Sequence, residues 1–422
     1  MTYHKLPADR PFDKICMVGL GYIGLPTAAV MASRGLNIVG LEITPRVVDT
    51  INKGQIHITE PNLEDYVKEA VEKRLLRATL TAEAADAFMI AVPTPIDAQK
   101  KSDLAYVMSA GKTIAAVLKK GDIVILESTS PVGATEQLMA VLSKLRPDLS
   151  FPVRGTEGCD IHMAYCPERV LPGKVLEELV SNDRAIGGMT KACTARATAL
   201  YSLFVEGTLF PTDTRSAELC KLAENAFRDV NIAYANELAN VCEGLDMNVW
   251  EVIHLANRHP RVNILQPGPG VGGHCIAVDP WFIAEVAPDD TPLIQTARRV
   301  NDSRPHRIVD RVKAECKALD KDEENIVIAC YGLAFKPDID DLRESPSLEI
   351  AREVAASHSG KVLVVDPNVE GGHDPVQGAE LVDMGLAYTS ADVHVLLVDH
   401  NEFKALTPPR GVIVDVKGIW KQ

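Results

Sequence analysis

Cys275 ends the run GPGVGGHC, and Asp279 follows it four residues later. Glycine costs backbone entropy, so such a run marks a tight turn or a close backbone approach. A cysteine placed there is either an inert apolar side chain or a nucleophile. A thiol is partly ionised near neutral pH and intrinsically nucleophilic, and the N–H groups of a Gly-rich loop lower its pKa or hold a phosphate. Beside a nicotinamide, such a thiol would add to an aldehyde; loss of hydride would leave a thioester for water to hydrolyse. Lys221 and Asn225 are spaced i and i+4, which puts them on one face of a helix. With Glu218 and Glu224 near them, they read as a solvated Lys–Glu face or as a cation and an amide aimed at an oxygen gaining negative charge. In CPERVLPGK (166–174), Glu168 and Arg169 occupy a turn between two prolines. There Glu168 either orders a water for hydrolysis or pairs with a surface cation.

GLGYIG contributes Gly19, Gly21 and Gly24 between an apolar run and a helical pattern. That context fits a dinucleotide fingerprint: Gly19 for the turn, Gly21 for approach of a pyrophosphate, Gly24 for helix–strand packing. Glu42 lies 18 residues after Gly24, at the end of NIVGLE. A carboxylate there binds a ribose 2′-hydroxyl and repels a 2′-phosphate, so NAD is expected rather than NADP. AVPTP (91–95) and ESTSPVG (127–133) close two further strands, placing Thr94 and Thr129 at the carboxyl ends where ligands bind. YGLAFKPDIDDLRESP (331–346) carries Lys336 and Arg343 among acids. These cations hold a diphosphate or pair with Asp338, Asp340 and Asp341.

The elements that position these residues follow from apolar runs and turn signals. Strands are predicted at 14–21, 37–43, 88–95, 122–130, 161–167 and 184–188, with helices at 23–34, 62–74 and 104–119. Such alternation implies a mostly parallel sheet covered on both faces. A helix of about 30 residues is predicted over 215–245, with others over 246–257 and 291–318. Strands resume at 325–335, 361–367, 392–399 and 411–416, with a helix at 346–357. The expected architecture is α/β: a domain at 1–212, a central helical domain at 213–318 carrying the cysteine loop, and a second α/β domain at 319–422.

The 422 residues include 58 acidic and 44 basic side chains, a net charge of −14. This disfavours nucleic acid as a partner, while a small phosphorylated ligand needs only a few cations and N–H groups. With no run of about 18 apolar residues and no apolar leader, neither a membrane span nor a signal peptide is expected. The nine cysteines contain no CxxC pair, which argues against a disulfide framework and a thiolate metal site. A cytoplasmic protein without a metal is the expectation.

GLGYIGLP, AVPTP, ESTSPVG, YCPERVLPG, KLAENAFRDVNIAYANE, GVGGHCIAVDP and GLAFKPDIDDLRESP occur in the order found in UDP-sugar 6-dehydrogenases. From about Lys14 to Trp420 the chain resembles this branch of the UDP-glucose/GDP-mannose dehydrogenase family. YCPERVLPG and RHPRVNILQPGPGVGGHCIAVDPWF are similar to the members acting on UDP-N-acetylhexosamines. The UDP-glucose members instead carry NPEFL and GFGGSC segments. At Glu42 the family more often has Asp. The resemblance implies two Rossmann-like doubly wound domains joined by a central helical dimerisation domain, the first binding NAD and the last a UDP-sugar. It implies oxidation of UDP-N-acetyl-D-mannosamine at C6, with UDP-GlcNAc, UDP-GalNAc or UDP-glucose as alternatives, through two NAD-dependent steps.

In the same way it implies that Cys275 is the nucleophile, that Lys221 and Asn225 stabilise the alkoxide and oxyanion, and that Asp279 serves as base or organises water. Glu168 would assist hydrolysis, and Thr129 would position water and nicotinamide. Gly19, Gly21, Tyr22, Ile23, Gly24, Glu42, Pro93, Thr94, Thr129 and Arg343 would contact NAD. Glu168, Arg169, Val170, Lys221, Asn225, Asn263, Gly270 and Lys336 would contact the substrate, with the 263–270 loop cradling UDP through its backbone. Admitting that substrate close to the backbone would account for the glycines before Cys275. A homodimer through the long helix is expected, with His259 or Arg261 reaching the partner subunit's site. A non-catalytic NAD-binding protein would lack a reason to carry Cys275, Lys221 and Asp279 together. A two-electron hydroxyacid dehydrogenase would need no cysteine loop.

Overall fold

The computed structural model describes residues 11–97, 99–153, 158–171, 173–273, 275–369 and 375–420; His274 of the cysteine loop and Pro172 lie outside them. The chain folds as two compact units, Met1–Glu224 with Trp281–Val286, and Asn225–Pro280 with Ala287–Gln422.

The sheet of the first unit contains β1 (Lys14–Val18), β2 (Asn37–Leu41), β3 (Leu76–Thr79), β4 (Ala87–Ile90), β5 (Ile123–Leu126), β6 (His162–Tyr165), β7 (Arg184–Gly188) and β8 (Leu209–Asp213). Their order is β3-β2-β1-β4-β5-β6-β7-β8. Neighbours run parallel except β6 and β7, which pair antiparallel through Ala164–Gly188 and Tyr165–Gly187. The central strands β4 and β5 are apolar at every position because both faces are buried. Alternate residues divide between two cores: Ile15, Met17, Met89, Ile123 and Ile125 pack on one side. Cys16, Val18, Phe88, Ile90, Val124 and Leu126 pack on the other.

The strands expected at 14–21, 37–43, 88–95 and 122–130 end earlier, and their last residues form the loops that carry the motifs. β3 and β8 were not expected. Their sequences LRAT and LFPTD are partly exposed and lack an apolar run, as outer strands do.

The second unit holds a parallel sheet ordered β11-β10-β9-β12-β13. Its strands are β9 (Val327–Tyr331), β10 (Lys361–Val365), β11 (Glu380–Leu381), β12 (Val393–Leu396) and β13 (Val412–Asp415). Two helices dominate the middle of the chain, Thr214–Gly244 with 31 residues and Pro292–Ala318 with 27. The first runs through the division between the units, with Lys221 on one side and Asn225 on the other. Among the described residues, no helix is long and apolar enough to cross a membrane.

Candidate active site

The three fingerprint glycines follow β1 in the first unit, where strand order reverses between β1 and β4. Gly19 has φ +90°, and a Cβ on it would lie 2.6 Å from the Ala91 carbonyl oxygen. A Cβ on Gly24 would lie 1.9 Å from the Gly19 carbonyl oxygen. At Gly21 it would meet nothing within 4 Å. Two glycines are therefore required by the chain itself, and the third faces open space. Ile23, the N-cap of the helix Gly24–Ser33, provides no side-chain cap, and Tyr22 is exposed.

The Glu42 carboxylate accepts from Leu20 N at 3.1 Å through Oε2, and from Ile43 N at 2.9 Å and Thr44 N at 3.0 Å through Oε1. A carboxylate has about four acceptor sites, so capacity remains for a ribose hydroxyl. An open backbone approach at Gly21 with an oriented acceptor at Glu42 fits NAD.

The loops after β4 and β5 are tied together. Ser128 Oγ donates to Val92 O at 2.7 Å and accepts from Val92 N at 2.9 Å. Thr94 Oγ1 donates to the Thr129 carbonyl at 2.5 Å, so Thr94 spends its proton holding Thr129 and keeps acceptor capacity. Pro93 is exposed beside it, and Thr129 is half-buried.

Glu218 and Glu224 do not form the solvated face with Lys221. Glu218 is fully buried and accepts from Gly133 N, Thr135 N and Thr135 Oγ1 at 2.7–2.9 Å, capping the helix Ala134–Leu145. Glu224 is held by Arg169, whose Nη2 lies 2.6 Å from its Oε1.

Arg169 therefore does not pair with Glu168. Glu168 is half-buried and accepts a short bond from Val170 N. Burial pushes its carboxyl up, against the positive charges of Arg184 and Lys221. Behind it stands a buried polar group that sequence reasoning missed. Tyr201 OH donates to Glu127 Oε1 at 2.6 Å, and burial pushes Glu127 up to about 7. The buried Arg184 Nη2 donates to Leu179 O at 3.3 Å. No local pattern marks these three, which lie on β7, a helix and the end of β5.

In the second unit, Asn225 Nδ2 donates to Asp279 Oδ2 at 2.6 Å, with both side chains buried. Asp279 N–H bonds the Cys275 carbonyl at 2.9 Å, and Val278 N–H bonds it at 3.1 Å. The turn thus begins at Cys275 and ends at Asp279, the first residue of the helix Asp279–Val286. Cys275 itself is exposed.

The glycines before Cys275 answer to a neighbouring loop. A Cβ on Gly272 would lie 2.4 Å from the Glu344 carbonyl and 2.7 Å from Pro346; one on Gly273, at φ +78°, would lie 3.1 Å from the Phe335 ring. At both positions the segment after β9 leaves no room for a side chain, which is by itself a reason for glycine.

The 263–270 loop is held by amides of the two long helices. Asn231 Nδ2 donates to Asn263 O at 3.2 Å, and Asn231 Oδ1 accepts from Leu265 N at 2.9 Å. Asn236, fully buried, accepts from Gly268 N at 2.9 Å and donates to Asn301 at 2.9 Å. Arg304 Nε donates to Gly268 O at 3.2 Å, and burial lowers this guanidinium to about 10. Gly268, Gly270, Phe335, Pro337, Asp399 and Lys417 line a cleft at the carboxyl ends of β9 and β12, the usual ligand position of an open α/β sheet.

Half-buried Lys336 lies between two cleft residues. Arg343 bonds Asp341 through Nε at 2.9 Å and Nη2 at 2.7 Å; of the two readings of that motif, the acid pairing is the one observed for Arg343. His259 and Arg261 are exposed on a turn, with Arg261 N bonded to His259 Nδ1 at 3.4 Å.

The chain matches the UDP-glucose/GDP-mannose dehydrogenase family in three stretches: its NAD binding domain over 13–205, its central domain over 215–303 and its UDP binding domain over 329–422. It is 58% identical to a UDP-N-acetyl-D-mannosamine dehydrogenase of Yersinia pestis, over 97% of this chain and 100% of that protein. It is 56% identical to an NDP-N-acetyl-D-galactosaminuronic acid dehydrogenase of Ralstonia nicotianae, over 98% and 97%. Its fold is similar to the solved structure of a UDP-D-ManNAc dehydrogenase from Pyrococcus horikoshii, with a TM-score of 0.87 and 38% identity over 97% and 96% of the two chains. The glycine fingerprint with its acidic partner, the cysteine turn and the second parallel sheet thus occur in a chain that belongs to the UDP-glucose/GDP-mannose dehydrogenase family of NAD-dependent enzymes.

Proposed function

We propose that this enzyme oxidises the C6 alcohol of UDP-N-acetyl-D-mannosamine to a carboxylate, with two NAD reduced per sugar. The observation that carries the reading is the bond from Asn225 to Asp279 at the turn that starts with Cys275. The sugar is supported by the relative from Yersinia pestis that bears its name. The galactosaminuronic acid dehydrogenase of Ralstonia nicotianae supports UDP-GalNAc as a second reading.

Bound NAD supplies the hydride acceptor for both oxidations. Asp279 accepts the proton of the C6 hydroxyl, directly or through water, and the Lys221 cation and Asn225 amide stabilise the alkoxide. The Cys275 thiolate then adds to the aldehyde carbon, and the resulting thiohemiacetal keeps a reactive intermediate on the enzyme. Loss of the second hydride leaves a thioester. Water adds to its carbonyl carbon, the C–S bond breaks, and carboxylate and thiol are released. Glu168, whose carboxyl burial makes more basic than an ordinary carboxylate, takes the proton of that water, and Thr129 positions the water.

Arg169, Val170 and Lys336 contribute to sugar binding in this reading, Arg343 to the NAD diphosphate, and the backbone of 263–270 to UDP. The functional parts are 1–212, 213–318 and 319–422, in the cytoplasm. A homodimer through the helix Thr214–Gly244 is supported by Phe227, Tyr234 and Val241, which are exposed at seven-residue spacing. His259 or Arg261 would reach the partner subunit's site.

The test is NADH formed per mole of limiting UDP-N-acetyl-D-mannosamine, with UDP-GalNAc, UDP-GlcNAc and UDP-glucose beside it. Two NADH from the first sugar alone is the expected result. One NADH would overturn the thioester route, and two from another sugar would replace the substrate.

A further inference from the structure

Cys159, His162 and Cys193 have no part in the site described above. Cys159 precedes β6, His162 is its first residue, and Cys193 is the third residue of the helix Lys191–Tyr201. One ligand atom from each lies within 4.8 Å of the other two. Cys193 is fully buried, and the other two are half-buried.

The Cys193 sulfur collects donors. Met163 N–H reaches it at 3.4 Å and Thr190 Oγ1 at 3.2 Å. The Thr190 hydroxyl in turn accepts from Cys193 N at 3.3 Å, so sulfur and helix start are fixed together. Burial pushes the Cys193 thiol up, yet the bonds from His162, Thr190 and the backbone bring it below its ordinary value. Burial and the neighbouring Cys193 push Cys159 up to about 11. His162 Nδ1 is a buried atom with no hydrogen bond. A sulfur with oriented N–H and O–H donors, a second sulfur and an imidazole within a few ångströms is the arrangement of a thiolate metal site with its supporting shell.

The geometry points to a site for a soft divalent cation, Zn²⁺ by its donor set, held by Cys159, His162 and Cys193 with a fourth position for water. Binding would form two S–M bonds and one N–M bond, with the proton of each bound thiol released to solvent. The role is structural. His162 opens β6 and Glu168 follows its other end, so the ion would tie β6 to the helix start at one end while Glu168 works beyond the other.

The test uses the full chain, stripped with a chelator and kept reduced with a phosphine. Zn²⁺ and Co²⁺ are titrated into wild type, Cys159→Ser, His162→Gln, Cys193→Ser and Cys275→Ala. The expected result is one ion per chain in wild type and in Cys275→Ala, with thiolate-to-cobalt charge-transfer absorption and a higher Tm. Cys159→Ser and Cys193→Ser should lose the tight site, and His162→Gln should bind at least tenfold more weakly. If the buried Cys193→Ser fails to fold, Cys159→Ser at a half-exposed position decides. No tight ion in wild type, an undiminished site in Cys159→Ser, or loss of the site in Cys275→Ala would each overturn the assignment. So would a Cys159–Cys193 disulfide found by peptide mapping of the protein purified without reductant.

Discussion

Asn225 and Asp279, 54 residues apart in the chain, share a buried hydrogen bond of 2.6 Å. In the proposed mechanism this bond aims Asp279, and the second N–H of the amide serves an oxygen of the substrate. Replacing Asn225 with Ala should lower kcat by roughly 10²–10³, the usual cost of one oxyanion donor, with a smaller change in KM. Asn225→Asp would set two carboxylates at bonding distance, forcing one to hold a proton, and should move the acid limb of the kcat–pH profile upward. A kcat within threefold of wild type in the Ala variant would remove Asn225 from the mechanism.

Gly21 and Gly24 should separate binding from folding. A methyl at Gly21 meets nothing within 4 Å, whereas one at Gly24 lies 1.9 Å from a backbone oxygen. Gly21→Ala should keep the wild-type Tm and bind NAD at least tenfold more weakly, a loss of about 1.4 kcal/mol. Gly24→Ala should lose about 1–3 kcal/mol of stability through forced backbone movement. Thermal melts and NAD titration of both variants check this, and equal Tm losses would contradict it.

Glu127 predicts a pH dependence of stability. Its folded pKa, about 7, stands above the ordinary 4.5 because burial disfavours the charge. Below 4.5 the group is protonated in both states and costs nothing. Between 4.5 and 7 the unfolded chain ionises first, so folding loses stability as pH rises, levelling off above 7 at roughly 3 kcal/mol. Glu127→Gln removes this term while keeping an acceptor for Tyr201. Its stability relative to wild type should therefore climb by about that amount between pH 4.5 and 8 in denaturant titrations. A pH-independent difference would refute the assignment.

Asn236 links Gly268 to Asn301 inside the second unit. Asn236→Leu would leave the buried Gly268 N–H and Asn301 Oδ1 without this partner, a penalty of about 1–3 kcal/mol per unsatisfied group. The variant should melt several degrees lower. KM for the UDP-sugar should rise more than kcat falls, because the loop is displaced and the cysteine turn is not. A selective fall in kcat would argue against a positioning role.

Much of the site was legible because its chemistry is written locally. Gly19, Gly21 and Gly24 lie within six residues, and the turn from Cys275 to Asp279 within five. The central strands announced themselves as apolar runs. Edge strands β3 and β8 did not, because partial exposure leaves them polar and their pairing depends on a neighbour. The roles of Glu218 and Glu224 were equally illegible: their spacing from Lys221 suggests a solvated face, yet one caps a helix from within the core and the other holds Arg169.

By itself the sequence determined the alternation of strands and helices, the cofactor fingerprint and the order of the motifs. These depend on residue type and short spacing, which bind any fold the chain adopts. Only the tertiary structure decided which distant side chains share a buried space. Glu127, Tyr201 and Arg184 meet because β5, β7 and a helix pack on one core. Gly272 and Gly273 yield their space to the segment after β9. Cys159, His162 and Cys193, without a CxxC between them, converge because β6 lies against the start of the helix that follows β7. Contacts of this kind come from packing among elements far apart in the chain, and no local pattern encodes them.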